Sequence, residues 1–427
     1  MSSSASRPPG ADVAGPPTRW KVVGPGLMVA ATGVGAGDLV ATLVAGQRFG
    51  YALLWVVVLG CVLKIILVEG AGRYSLATER TIFEGWRSLG RWTTVYFAPY
   101  IVIWGFVYGA SAMLSTALPL AALFPAVSIE AFAIGSGLIG FVLVWFNKYA
   151  GFEKITAVLV GIMFLTVVGA AVLATPNLLQ VLNGLVPRIP EGSMINVLSV
   201  AGGVGGTITL AAYGYWLREK GWHTPRFMKV MRLDNAMAYV VTGVFVVAML
   251  IVGAELLYSS GIALQSGERG LLSLSDVLSE RYGAVYGKLF LVGFWAASFS
   301  SILGVWNGVS LMFADFVGHA RGLEPGHPET RTGGKWFKLY LVWLTFPPIV
   351  LVFAGEPVPV ILAYGVLGAF FMPFLAVTLI WLLNTDRTPR QWRNRIGGNL
   401  ALGLIAVFFV VLAVVQLQST ISDALGG

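Results

Sequence analysis

Of the 427 residues, 57% are hydrophobic and only 11% are charged, with a mean hydropathy of +0.79, whereas a soluble domain carries about 25% charged residues. A chain this apolar cannot cover a water-facing surface, so composition excludes a soluble globular protein and requires lipid as solvent. The formal charge of +8 is compatible with a nucleic-acid partner, but the placement of the basic residues accounts for it otherwise, and none is expected.

Taken in chain order, residues 1–20 open with a Ser-, Ala-, Pro- and Gly-rich stretch without the apolar centre of a signal peptide. They read as a disordered cytoplasmic tail. Hydrophobic runs follow near 24–46, 52–76, 95–120, 128–146, 155–176, 195–217, 236–258, 287–313, 337–354, 358–383 and 397–418. Each is long enough to cross a bilayer, which takes about 20 residues. The connecting loops are too short for a second folded unit, so 21–418 reads as a single transmembrane transporter domain. The one cysteine, Cys61, lies inside a run, which excludes an intrachain disulfide and a thiolate metal cluster. His223, His319 and His327 fall in loop-like stretches, which excludes an imidazole cage within the bilayer. There is no Walker loop and no nucleophile elbow. The chain is not expected to be an enzyme, and no cofactor is expected.

Topology follows from the basic residues. With the N-terminus inside and eleven alternating spans, 22 of the 28 fall on the inner side, among them Arg73, Arg80, Arg87, Arg218, Lys229, Arg331 and Arg390. Five, namely Arg48, Arg188, Arg269, Arg281 and Lys288, fall outside, and Lys64 lies within the second span. This positive-inside asymmetry predicts a cytoplasmic N-terminus, an external C-terminus and residence in the plasma (inner) membrane. The lipid bilayer and a small ion or solute substrate are the expected partners.

Two spans differ from the rest. The first reads Ala31-Thr32-Gly33-Val34-Gly35-Ala36-Gly37-Asp38, and the sixth reads Ala201-Gly202-Gly203-Val204-Gly205-Gly206-Thr207-Ile208-Thr209. Each interior glycine costs a helix about 1 kcal/mol relative to alanine, so such clusters invite unwinding. Unwound backbone at membrane depth is tolerated only where it is buried in protein or lines a cavity. Spans one and six are equivalent positions in two five-helix halves, the pattern that points to the binding site of an inverted-repeat transporter. Gly135, Gly137 and Gly140 in span four instead read as close-packing glycines.

At this point the residues resemble a family. The stretch from Gly24-Pro-Gly to Gly50-Tyr51-Ala52-Leu53-Leu54-Trp55, Arg232-Leu233-Asp234, Ala248-Met249-Leu250-Ile251 and the segment Ser298 to Phe316 are similar to the Nramp (natural resistance-associated macrophage protein) metal transporters. The likeness covers roughly residues 20–415. It implies an all-α polytopic membrane protein with a LeuT-like 5+5 inverted repeat and eleven transmembrane helices, helices one and six broken. Repeat one would then span about 21–176, repeat two about 195–383, and an extra helix about 397–418. The family's first span holds Asp-Pro-Gly-Asn, whose Asp and Asn bind the metal. Aligned on Gly37, those two positions are Gly35 and Asp38 in this chain. The family's methionine followed by Pro-His falls on Thr209, Leu210 and Ala211, and a second family histidine on Trp216. The acidic residues of the family's third span have no counterpart between Tyr96 and Leu120.

Each departure has a chemical meaning. A thioether favours soft or borderline metals, and Thr209 removes it. The remaining candidate surround is all oxygen: the Asp38 carboxylate, the Thr32, Thr207 and Thr209 hydroxyls, and carbonyls freed around Gly35, Gly37 and Gly206. Such a site suits Mg²⁺ or Mn²⁺, with Asp38 and Thr209 as metal ligands; one carboxylate also suits a monovalent cation. Asp38 has a second reading as the N-cap of the half-helix from Leu39 onward. Ser310, at a family glutamine position, is a further substrate contact, and Asn307, Ser298, Ser300 and Ser301 share its span. Lys64, Glu69 and Arg73 in span two read either as structural ion pairs and snorkelling side chains or as a relay. Glu255 is placed near the outer interface, and Tyr213, Tyr215 and Trp216 read as packing or belt residues. The expected function is secondary transport of a hard divalent cation. The alternatives are transport of a small organic or anionic solute on the same scaffold, and a non-transporting membrane sensor.

Overall fold

The computed structural model describes residues 36–146, 154–155, 158–159, 161–162, 164–259, 268–324, 326–354 and 356–426. Every regular element among these is helical, as the hydrocarbon core requires of a chain with no water to satisfy its backbone. The first is α1 (Ala36–Phe49), closed by Gly50 at φ 56. Then come α2 (Leu54–Thr78), the short α3 (Ile82–Ser88), α4 (Arg91–Leu123) and α5 (Ile129–Phe146). α3 starts where the Thr81 hydroxyl accepts from the Glu84 amide at 3.3 Å. α4 runs 33 residues through Pro99 and Pro119.

A π-helical turn, Phe164–Val168, leads into α6 (Gly169–Leu173), and α7 (Leu178–Gly184) leaves at 113° to it. Span six is two helices, α8 (Met194–Gly203) and α9 (Thr209–Glu219). α10 (Met228–Val252) continues as a π-helical end, Gly253–Tyr258. α11 (Glu268–Tyr282) and α12 (Ala284–Ala320) follow, then α13 (Lys335–Thr345) and α14 (Ile349–Val352), separated at Pro347-Pro348. The chain closes with α15 (Pro357–Asn384) and α16 (Ile396–Gly426).

Among the described residues, eight helical stretches are long and apolar enough to cross a membrane, or nine if the bent pair at residues 164–184 is one span, so the expected eleven are not all seen there. The first and fifth expected runs lie partly outside the described residues. The sixth is divided into α8 and α9, each too short to cross alone.

Burial sorts the helices. The apolar stretch of α12 is 83% buried, whereas that of α16 is 22% and that of α5 is 28%. α12 is therefore central, while α5 and α16 present Ile139, Phe146, Leu404 and Val407 to lipid. α1 packs against α8, α10, α12 and α15, with Leu39, Leu43 and Ala45 almost fully buried. Its crossing with the end of α10 depends on two glycines, Gly46 and Gly253. A Cβ on Gly253 would stand 2.5 Å from the Leu43 carbonyl oxygen and 3.0 Å from the Gln47 amide. Small residues at such crossings replace the hydrophobic driving force that lipid cannot supply. In span four, Gly137 and Gly140 pack closely, against Met113 and against Ile302 and Trp306, but Gly135 faces open space.

Candidate functional site

The break in span six sits where the helices are most buried: every residue from 196 to 213 is buried. It is shorter and later than the glycine cluster suggests. Gly202 and Gly203 complete α8, and the chain leaves helical geometry only over residues 204–208. Gly205 (φ 79) and Gly206 (φ 94) take left-handed backbone, which other residues adopt only at a cost. Gly206 donates its amide to the Gly203 carbonyl at 2.9 Å, which turns the chain before α9 begins at Thr209.

The carbonyls at the break are held by side chains. The Lys64 ammonium donates to the Gly202 carbonyl at 2.8 Å and to the Val204 carbonyl. The Tyr239 hydroxyl donates to the Gly205 carbonyl at 2.8 Å. Lys64 is 0% exposed, so it does not snorkel, and its carbonyl partners replace the expected pairing with Glu69. Glu69 instead lies 3.2 Å from Arg73 and 2.9 Å from Arg232. Arg73 also donates to the Asn394 side chain at 2.6 Å and the Trp392 carbonyl at 3.1 Å. Glu69 and Arg73 thus tie α2 to α10 and to the α15–α16 connection.

The hydroxyls of Thr207 and Ser310 are fully buried and find no hydrogen-bond partner among the described residues. Thr209 is buried as the first residue of α9. Thr32 and Gly35 lie outside the described residues. Gly37 and Asp38 lie within α1. Among the described residues, no three His, Cys, Asp or Glu side chains gather as a metal cluster.

The residues after the break are buried rather than arranged as an interface belt. Tyr213 donates to the Asp234 carboxylate at 2.7 Å, and Tyr215 to Asp315 at 2.7 Å. Trp216 donates to the Asn307 side chain at 3.4 Å. Its indole lies against Gly308 in α12, where a Cβ would be 2.7 Å from Cε2. Gly308→Ala is expected to cost about 1–3 kcal/mol through overpacking, read as a lower melting temperature, and the same change should cost little in a Trp216→Ala background, where the clash is gone. An unchanged melting temperature would mean that the indole is free to move aside. His319 lies in the last turn of α12 rather than in a loop, with its Nε2 3.4 Å from the Asp315 carboxylate.

Two cavities carry charged residues. One, of about 480 Å³, is lined by Tyr215, Arg218, Glu219, Asp315 and Arg331. The other, of about 520 Å³, is lined by Tyr51, Asn183, Arg188 and Glu255. Glu255 accepts from the Tyr51 hydroxyl at 2.7 Å and the Asn177 amide at 3.2 Å, which ties the α1–α2 turn to α7. Burial, with Glu255 adding to it, pushes the Tyr51 hydroxyl well above the usual phenol range. Near the first cavity, burial raises the Glu84 carboxyl above the ordinary range against the opposing pull of Arg218. No residue of the break lines either of these two cavities.

Sequence analysis missed Tyr239 and the partner of Lys64. A lysine alone in an apolar run was the available signal; its target carbonyls lie about 140 positions away.

Comparison with known proteins agrees with this architecture. The profile described as "natural resistance-associated macrophage protein-like" matches residues 26–419. The "divalent metal cation transporter MntH" of Mycobacterium leprae is 24% identical over 426 residues, covering 95% of this chain and 93% of that one. A mutant of the Eremococcus coleocola manganese transporter superposes with a TM-score of 0.75 at 16% identity, covering 97% and 91% of the two chains. MhsT in complex with L-phenylalanine superposes with a TM-score of 0.60 at 13% identity, covering 92% and 98%, which places the fold in the broader LeuT-like group. On the extent of the profile match together with the broken, buried sixth span, the chain belongs to the Nramp family of integral membrane transporters.

Proposed function

We propose that the protein is a secondary active transporter of a hard divalent cation, Mg²⁺ or Mn²⁺, acting through the broken spans. One observation carries this reading: a member of a family whose relatives are named for divalent metal transport keeps a buried break in span six with an oxygen surround. Thr209 stands where the family has its thioether, which removes the preference for softer metals. The Thr207 and Ser310 hydroxyls, without a hydrogen-bond partner among the described residues, suit a hydrated hard cation. Asp38, in α1, supplies the negative charge, and backbone around Thr32, Gly35, Gly37 and Gly206 supplies carbonyls. The transporter domain is 21–418, in the plasma membrane, with the N-terminus cytoplasmic and the C-terminus outside, as the 22 to 5 distribution of basic residues supports.

The test is uptake of Mn²⁺ and Mg²⁺ into proteoliposomes. Wild type should move at least one of them, and Asp38→Ala should reduce uptake by roughly tenfold or more, equal to about 1.4 kcal/mol of lost binding. If neither ion moves, or if Asp38→Ala transports as well as wild type, the reading is wrong.

A second reading, a small organic or anionic solute on the same scaffold, is favoured by the Lys64 ammonium at the break. A thermal-shift screen separates the two: stabilisation by an organic acid and by no metal selects the solute.

A further inference from the structure

We propose that Lys64 is a resident cation of the broken span, and that its charge sets how strongly the site accepts a metal. The inference rests on the transporter reading above and deepens it. Unwinding a helix at membrane depth exposes carbonyls at the C-terminal end of the first half-helix, where the helix dipole is negative. In transporters built this way, those groups hold the coupling cation. In this protein the last carbonyls of α8 already have a cation on them. The Lys64 ammonium donates to the Gly202 carbonyl at 2.8 Å and to that of Val204.

The surroundings are shaped for that side chain. The Lys64 Cδ lies 3.2 Å from where a Gly205 Cβ would stand, so the missing side chain at 205 makes room for the lysine stem. Tyr239 covers the next carbonyl, that of Gly205, at 2.8 Å. Lys64 is 0% exposed, and burying an ammonium is tolerated only when it is paired and hydrogen-bonded. Carbonyl oxygens are also the ligand class that a hard metal takes. Lys64 and a metal therefore compete for the same oxygens, and a bound metal meets a like charge at short range in a low-dielectric setting.

The consequence is a weak metal site in wild type and a stronger one once the charge is gone. Lys64→Met keeps the length and apolar character of the stem while leaving the Gly202 and Val204 carbonyls unpaired. The test uses full-length protein in lipid nanodiscs, with melting temperatures followed through titrations of MnCl₂ and methylammonium chloride. The Mn²⁺ midpoint of Lys64→Met should fall by roughly tenfold or more relative to wild type. Methylammonium should stabilise Lys64→Met and leave wild type unchanged. Lys64→Arg, which keeps the charge, should stay as weak towards Mn²⁺ as wild type.

Equal Mn²⁺ midpoints in wild type and Lys64→Met, with no response of the variant to methylammonium, overturn the proposal. If Lys64→Met folds only when Mn²⁺ or methylammonium is present during extraction, that supports it. Failure of both Lys64→Met and Lys64→Gln to fold with every cation overturns it. The two readings stay distinguishable: wild type that moves no metal defeats the transport reading, while Mn²⁺ binding gained by Lys64→Met decides the inference by itself.

Discussion

Replacing Gly206 by valine should abolish uptake and lower the melting temperature. Gly206 holds φ at 94 and Gly205 at 79, where a residue with a Cβ carries a penalty of about 1–2 kcal/mol and a β-branched one is a clear outlier. The crowding around Gly205 adds to this, because a Cβ there would stand 2.8 Å from the Tyr239 ring. The break cannot move to a neighbour, since Val204 and Thr207 on either side are buried and packed. The chain must either hold strained backbone or wind the segment into helix. Winding it would withdraw the Val204 and Gly205 carbonyls from Lys64 and Tyr239 and bury the site's oxygens within hydrogen bonds of the helix. Radiotracer uptake and thermal unfolding of the same preparation are the measurements. Gly206→Ala should fall between wild type and Gly206→Val in both. Full uptake by the valine variant would show that the left-handed turn is dispensable.

Replacing Gly202 by leucine should be the most damaging change to stability. Gly202 lies where α8 crosses α15 backbone to backbone. A Cβ there would overlap the Gly365 carbonyl oxygen and stand 2.5 Å from the Ala369 amide. The opposing face is equally tight: a Cβ on Gly365 would stand 2.6 Å from the Ser199 carbonyl, and one on Gly368 would be 3.0 Å from that of Gly202. Backbone atoms cannot rotate away as a side chain can, so the helices must separate, at a cost at or above the usual overpacking range of about 1–3 kcal/mol. The expected readout is loss of a monodisperse peak on size-exclusion chromatography. Gly135→Leu is the control, because nothing stands within 4 Å of its Cβ position. Equal behaviour of the two variants would show that the α8–α15 crossing yields easily.

Hydropathy and the glycine clusters made much of this protein legible before any coordinates. Apolar run length determined the membrane class, because no other solvent accommodates 57% hydrophobic residues. Gly205-Gly206 marked the break, because glycine alone adopts that turn cheaply.

Other properties depended on contacts between distant segments. Sequence placed Lys64 in span two, but its two readings there, ion pair or relay, turned on partners some 140 positions away. Glu69, five residues from Lys64, turns instead to Arg73 and Arg232. Of the four glycines in span six, Gly202 serves the crossing with α15 and Gly205 and Gly206 serve the turn, a division that periodicity does not carry. Trp216 is buried because α12 presents Gly308 and Asn307 to it. Local propensity determines where a chain can bend and which solvent it tolerates. Which charge is brought to the bend is decided only when helices pack, because a buried ammonium must find its carbonyls wherever the fold supplies them.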